Sequence, residues 1–512
     1  MRARMVPAVV AALMLTGCGQ VSVGPPAAES SRGASPAEAG TEAGAEAGTE
    51  AGAGAGSLAQ AGTNIVFVLA DDLSMDLLQY MPNVRKLAED GTSFSNYVVT
   101  DSLCCPSRSS ILTGKFPHNT GVFTNTAPDG GFGVFKDRGN ERSTFATSLQ
   151  KAGYRTAMLG KYMNGYQPAG GYVPPGWNEW AVAGNAYGQY DYKLNENGTA
   201  RDYGDTPADY LTGVLSRKAS AFVEAQAAAG RPFLIEVAPF SPHAPYTPAP
   251  QDEDAFPGLT APRGATYDTL PENPPPWLEG RTRLGDGEIK KIDEAYRKRA
   301  QAVQSVDRMV GALRQTLTDA GVADRTVVVF SSDNGYHLGD YRLTAGKQTA
   351  FETDVHVPLI VAGPGVRRGA TVDRTAENID LRPTFEQIAG VPASADTDGR
   401  SLVPLLRNGT TDDWRNLALI EHHRPAADPD DPDAQTPAAG IPPSYAALRA
   451  PNYTFVLYEG GAMEFYDRVA DPAQLHNRIK TMSEDQRRKL KASLAALVAC
   501  AGTEACWAAG KA

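Results

Sequence analysis

The chain alternates between short unbroken apolar runs and longer stretches in which apolar residues recur every three or four positions. Asn64-Ile-Val-Phe-Val-Leu-Ala70 is the clearest run. Its β-branched and aromatic content, without polar alternation, predicts a strand buried on both faces of a parallel sheet. Phe233-Leu-Ile-Glu-Val-Ala238, Thr326-Val-Val-Val-Phe330 and Val357-Pro-Leu-Ile-Val-Ala362 repeat the pattern. Between the last three, Val303, Val306, Val310, Leu313 and Leu317 fall on one face of a helix. Strands alternating with helices predict an α/β fold over residues 63–414, a large central and mostly parallel sheet with helices on both faces.

The pattern changes near residue 415. Residues 445–458 read as a hairpin about Pro451-Asn452, and Ser483-Glu-Asp-Gln486 opens a last helix with a capping-box signature. That helix is expected to present Leu490, Leu494, Leu497 and Val498 on one face. Residues 415–512 are therefore predicted to form a smaller α+β subdomain against the main sheet.

The first sixty residues obey neither period. Arg2 and Arg4 precede a short apolar run that ends in Leu15-Thr16-Gly17-Cys18. This is the layout of a signal peptide over 1–18, and its last four residues resemble a bacterial lipobox, in which Cys18 becomes the lipid-bearing N-terminus. An ordinary signal peptide with an incidental Cys18 is the other reading. Residues 19–62 are mostly Ala, Gly, Glu, Ser and Pro with four Glu-Ala-Gly repeats and no aromatic residue, which predicts a disordered linker. Its r.m.s. reach would be roughly 35–40 Å, enough to hold a folded body off a membrane. Both readings make the protein exported, a bacterial cell-envelope lipoprotein or a secreted protein, touching a membrane only through the lipid.

Export changes how the five cysteines are read. In an oxidising compartment Cys500 and Cys506, close in sequence, are expected to form a local disulfide. The net charge of −11 argues against a nucleic-acid partner, because phosphate contact needs a basic face.

Candidate chemistry begins at the strand ends. Asp71-Asp72 follows the first apolar run, and Asp333-Asn334 lies just beyond the run at 326–330. In open α/β sheets ligands bind beyond the carboxyl ends of strands, and hard oxygen donors there suit Ca²⁺ or Mg²⁺. Taken singly, each pair is also ordinary turn chemistry.

Cys104-Cys105-Pro106-Ser107-Arg108, followed by Leu112-Thr113-Gly114-Lys115, resembles the signature of the formylglycine-dependent type I sulfatases, matching C-x-P-S-R-x-x-x-[LI]-T-G throughout. The resemblance runs from about residue 64 to Phe465-Tyr-Asp-Arg-Val-Ala-Asp-Pro472 and is closest to the N-acetylglucosamine-6-sulfatase and heparan endosulfatase branch. It shows also in Lys115-Phe-Pro-His-Asn119, Tyr190-Asp-Tyr-Lys-Leu-Asn-Glu-Asn-Gly198 and Ser331-Ser-Asp-Asn-Gly-Tyr-His337. The long basic insertion of the endosulfatases is absent.

The resemblance implies an alkaline-phosphatase-like fold and a sulfuric ester hydrolase acting on sugar O-sulfates, such as N-acetylglucosamine 6-sulfate, or on aryl sulfates. It implies that Cys104 is oxidised to formylglycine by a formylglycine-generating enzyme. It implies a calcium site, with magnesium as the other candidate, built from Asp71, Asp72, Asp333, Asn334 and the modified Cys104. It carries Arg108, Lys115, His118, Lys161, His243 and Lys347 into the site, with His243 or Lys347 protonating the leaving alcohol and His118 accepting a proton from the diol. Cationic side chains and a divalent ion would reverse the potential locally for an anionic ester. Two other readings remain: a phosphonate or phosphate ester hydrolase of the same superfamily, and a silent, tethered carbohydrate-binding lipoprotein. His337, His422 and His423 are candidates for sugar contact, although 425–438 reads more readily as a solvated Pro/Asp-rich loop.

Overall fold

A computed structural model describes residues 58–426, 431 and 433–511. The expected signal peptide, Cys18 and all but the end of the expected linker lie outside the described residues. The last few linker positions join the folded body. Leu58 is fully buried, and Gly62 donates its N–H to the Tyr154 hydroxyl at 3.1 Å. Leu58 lies just outside the Glu-Ala-Gly repeats, and burying such a side chain contributes about 1.5–3 kcal/mol.

Ten strands form the main sheet. Along it lie the strands at 370–372, 92–94, 359–362, 326–332, 64–70, 233–238, 155–161, 179–183, 192–196 and 199–203. The middle five, from Thr326–Ser332 across to Glu179–Ala183, are all parallel. The predicted strand at 357–362 is present but begins at Leu359, after Pro358, and runs antiparallel to Thr326–Ser332. Pro358 has no N–H to give a ladder. Tyr192–Glu196 and Thr199–Tyr203 close the other edge as an antiparallel hairpin.

Every side chain of Asn64–Ala70 is buried, and the strand divides its residues between two cores. Ile65, Phe67 and Leu69 face one, Val66, Val68 and Ala70 the other. The second core is covered by the helices Leu211–Ala228 and Asp286–Asp319, the latter burying Val303, Val306, Val310, Leu313 and Leu317 as its periodicity predicts. The first core takes Ile111 and Leu112 of helix Cys104–Thr113 together with Leu381, Phe385 and Ile388.

Beyond residue 415 the chain forms a four-stranded antiparallel sheet, Ala418–His422, Tyr445–Arg449, Tyr453–Tyr458 and Met463–Asp467. The hairpin turns at Ala450, whose N–H donates to Tyr453 O at 2.8 Å. Ser483 caps the helix Glu484–Val498 in the predicted capping box with Gln486. Leu494 and Leu497 are buried, but Val498 is 36% exposed. One residue past Leu497 is a 100° rotation, which carries Val498 off the apolar face. Cys500 and Cys506 form the expected disulfide. This sheet belongs to the same compact unit as the main one.

Candidate active site

Register brings the two acidic pairs together. Ala70 pairs with Ser332 on adjacent parallel strands, so Asp71-Asp72 and Asp333-Asn334 emerge side by side at the carboxyl end of the sheet. Asp72 adopts φ 61°, a left-handed conformation that Asp and Asn tolerate better than most residues. Its N–H donates to Asp333 Oδ1 at 3.1 Å, and Asn334 Nδ2 donates to Asp72 Oδ1 at 2.7 Å.

Facing these acids is the first turn of helix Cys104–Thr113, buried along its whole length. Cys104 Sγ lies 3.5 Å from Asp71 Oδ1 and 3.1 Å from Lys347 Nζ. One helical turn on, Arg108 donates through Nε to Asp333 Oδ2 at 2.8 Å and through Nη1 to the Lys161 carbonyl at 2.9 Å. Lys161 Nζ pairs with Asp71 Oδ2 at 2.7 Å, and Lys347 Nζ with Asp72 Oδ1 at 2.7 Å. His243 Nε2 stands 3.6 Å from Asp72 Oδ2. Cys104 and the carboxylates thus sit among three permanent cations and an imidazole, all out of water.

Burial and charge compete at each group. Burial, reinforced by Asp333, raises Asp71 to about 6. Burial would raise Asp333 too, but Arg108, with Lys161 and Lys347, outweighs it and holds the carboxyl at about 2. For His243 burial disfavours the charged ring, yet the surrounding carboxylates, Asp72 first, lift it above its ordinary value. Burial pushes the Cys104 thiol well above its usual range, and Asp433 adds to the shift. A thiol kept protonated is a poor nucleophile.

Two oxygens in the cluster lack a hydrogen-bond partner among the described residues. Asp72 Oδ2 and Asn334 Oδ1 are buried and accept no hydrogen bond. Such atoms are expensive to leave unsatisfied. Asp71, Asp72, Cys104 and His243 also offer ligand atoms that all lie within 4.8 Å of one another. Orphaned hard oxygens beside converging carboxylates fit a divalent cation, and this cluster can hold one.

Two expected members are placed elsewhere. Lys115 is half-buried and pairs with Asp396 at 2.9 Å. His118 Nδ1 lies 2.7 Å from Glu421 Oε2 and its Nε2 lies 2.8 Å from the Cys500 carbonyl. The helix ends at Gly114, φ 69°, which turns the chain away from the acids before either residue is reached. Both ring nitrogens of His118 are thereby engaged, and the proton-accepting role expected of it is corrected. Of the candidate sugar contacts, His337 is buried between Asp354 and the Ala439 carbonyl. His422 is buried with both ring nitrogens unpartnered, and burial pulls it down to about 3. His423 stacks on Phe123 at 3.7 Å between ring centroids.

Three other residues stand in the cluster without having been foreseen. Asp433, from the stretch expected to be a solvated loop, is buried with Oδ1 2.5 Å from Lys347 Nζ and 2.6 Å from His243 Nε2. Asn125 and Asn164 donate to its Oδ2 at 2.7 and 2.9 Å. Asn164 follows Lys161 by three positions, the one sequence signal that pointed near it. No period or motif distinguishes one aspartate within Asp-Pro-Asp-Asp-Pro-Asp over 428–433.

Comparisons with known proteins bear on the family of the chain. A family model described as "Sulfatase" matches residues 63–391, and one described as "N-sulphoglucosamine sulphohydrolase, C-terminal" matches 339–499. The chain is 34% identical over 477 residues to N-acetylglucosamine-6-sulfatase from Homo sapiens, covering 86% of each chain. It is 37% identical over 370 residues to an extracellular sulfatase SULF-1 homolog from Drosophila melanogaster, covering 70% of this chain and 33% of that one. Among solved structures, one in complex with its substrate D-glucosamine-2-N,6-O-disulfate superimposes with TM-score 0.69 at 24% identity, covering 85% of this chain and 97% of the other. A phosphonate monoester hydrolase from Silicibacter pomeroyi superimposes with TM-score 0.65 at 22% identity, covering 84% and 93%. At these identities the two structures speak to the fold alone.

Proposed function

Because the chain belongs to the sulfatase family and is an enzyme hydrolysing sulfate esters, we propose that its substrate is a glucosamine-type sugar carrying a 6-O-sulfate and that Cys104 works as formylglycine. The observation that carries this reading is the convergence of Cys104 with Arg108, Lys161, His243 and Lys347 over the acids at the two strand ends. The relatives' names support the sugar, and the sulfatase family match supports the oxidised residue.

Asp71, Asp72, Asp333 and Asn334 would hold Ca²⁺ or Mg²⁺. When present, that cation and the hydrated aldehyde at position 104 supply a polarised sulfate oxygen and the attacking hydroxyl. The other side chains orient and neutralise. Arg108 fixes Asp333, and Lys161 fixes Asp71, so that both carboxylates stay ionised where the cation needs them. Lys347 Nζ and His243 Nε2 approach one point in the pocket, and either can give its proton to the departing alcohol oxygen. Sulfuryl transfer, like phosphoryl transfer, needs positioning and charge stabilisation more than covalent chemistry. The enzyme is exported, matured by a formylglycine-generating enzyme, and tethered through Cys18; the extracellular relatives support the location.

The test uses enzyme co-produced with a formylglycine-generating enzyme, the mass of the 101–115 peptide reporting conversion. Rates are compared on N-acetylglucosamine 6-sulfate, an aryl sulfate and an aryl phosphonate. Turnover is expected to be fastest on the sugar sulfate and absent in Cys104→Ala. Faster hydrolysis of the phosphonate would favour the second reading, which the shared fold with phosphonate monoester hydrolases keeps in view.

A further inference from the structure

Asp433 has an unusual set of partners for a structural carboxylate. Each of its oxygens takes two donors, Lys347 and His243 on Oδ1, Asn125 and Asn164 on Oδ2. None of the four comes from its own segment. Its Oδ2 also lies 3.7 Å from Cys104 Sγ. An anion has therefore been placed against the reactive position, at the focus of the groups that a sulfate monoester would need.

Charge counting agrees. Without Asp433, three carboxylates, Asp71, Asp72 and Asp333, face three permanent cations, Arg108, Lys161 and Lys347, and the His243 imidazole, which can take a proton. Asp433 adds one more negative charge, and a singly charged sulfate ester could replace it one for one. Two anions cannot share those donors, since like charges at such separations in a dry pocket repel by several kcal/mol. The segment bearing Asp433 is anchored at its far end, where the Ala438 and Ala439 carbonyls accept from Thr344 N at 3.0 Å and His337 Nε2 at 2.9 Å, and makes neutral polar contacts at its near end. Asp433 N donates to Asp431 Oδ1 at 3.0 Å, Gln435 Nε2 donates to the Asp433 carbonyl at 3.0 Å, and Gln435 Oε1 accepts from Lys347 N at 3.2 Å. Beside it lies a cavity of about 180 Å³ lined by Asp72, His243, Tyr336, Lys347, Asp433 and Gln435.

We propose that Asp433 is a built-in competitor anion that occupies the sulfate subsite and is displaced when a sulfate ester binds. The inference rests on the sulfate-binding reading above. Its consequence is quantitative: an occupant present most of the time lowers apparent anion affinity by the fraction of time the subsite is free.

The test measures binding of inorganic sulfate to the full chain by calorimetry, in wild type, Asp433→Asn and Asp433→Ala, with calcium titrated separately. Sulfate is expected to bind both variants about tenfold or more tightly than wild type, with calcium affinity changed less than about twofold. Sulfate is also expected to speed hydrogen exchange in the 433–439 peptide of wild type and to leave it unchanged in the variants. Unchanged or weaker sulfate binding in both variants would overturn the proposal. So would a tenfold loss of calcium affinity, which would make Asp433 a metal ligand. Tighter sulfate binding without turnover of any sulfate ester leaves the competitor standing and removes the substrate reading; turnover with no gain in sulfate binding does the reverse.

Discussion

Two charged clusters in this protein are built from similar residues and behave in opposite ways. At Glu352, Arg449 donates through Nε and Nη2 to both carboxylate oxygens at 3.1 and 3.0 Å, and Arg468 adds a third bond at 2.8 Å. The pair joins the short helix Glu352–Val355, which lies between two strands of the main sheet, to the C-terminal hairpin. Arg449 outweighs burial and holds Glu352 well below the ordinary carboxylate range. At the strand ends, by contrast, Asp72 Oδ2, Asn334 Oδ1 and Arg108 Nη2 are buried with no hydrogen-bond partner among the described residues. A carboxylate whose oxygens are all engaged serves stability; a cluster that leaves oxygens bare is prepared for something it does not itself contain. The difference follows from the cost of an unsatisfied buried group, which a fold tolerates only where another interaction recovers it.

The largest effect is expected at the bare cluster. Asp72→Asn keeps the left-handed backbone accessible and leaves Lys347 paired to Asp433. Loss of a carboxylate from a divalent site removes several kcal/mol of charge stabilisation, so turnover should fall by about a thousandfold or more. Melting in chelator should stay close to wild type, while the rise in melting temperature expected of wild type on adding calcium should be absent. A variant that melts early in chelator and keeps its calcium response would make Asp72 a structural residue like Glu352.

Glu352→Gln should do the reverse. It strands the fully buried Arg449 guanidinium without a counter-charge, and breaking such a pair typically costs about 3–5 kcal/mol. Urea unfolding should show that loss, and sulfate binding should not change. The pH dependence has a definite sign. A carboxyl depressed in the folded state contributes stability above its unfolded pKa and loses it as pH falls through the folded value. The gap between wild type and variant should therefore close in strong acid; a gap independent of pH would mean the loss comes from packing.

How much of this was legible beforehand depended on how local the information is. The strand at 64–70 and its acids are adjacent in sequence, as are Cys104 and Arg108, so a run of apolar residues or a short motif shows them directly. The order of the motif did not show its direction. Past Gly114 the Gly114 carbonyl accepts from Asp398 N at 2.8 Å and Phe116 N donates to Asp398 Oδ2 at 2.8 Å, which commits Lys115 and His118 to a different wall. Asp433 was hidden for the opposite reason. Its partners Asn125 and Asn164 lie 308 and 269 positions away, and a Pro/Asp-rich segment looks solvated unless its contacts are known. The antiparallel course of Leu359–Ala362 was equally invisible, because an apolar run buried on both faces carries no sign of strand direction.

Glu236 supplies a third condition between the two clusters, a carboxyl buried beneath the active site with neither a guanidinium clamp nor a place for a cation. It lies in Phe233–Ala238, its Oε2 has no partner, and burial raises it to about 7 against the weaker opposing pull of Arg108. From the ordinary glutamate value up to about 7 the unfolded chain binds fewer protons here than the folded one, so stability falls as pH rises across that window. Glu236→Gln removes the linkage while preserving shape. The variant should match wild type near pH 4.5 and become more stable than it by about 1–3 kcal/mol at pH 8, the smallest of the three effects. Equal stability at both pH values would mean that Glu236 is ionised in the folded protein and that Arg108 serves it as Arg449 serves Glu352, which would place the boundary between the two kinds of cluster one strand deeper than the partners of Asp333 suggest.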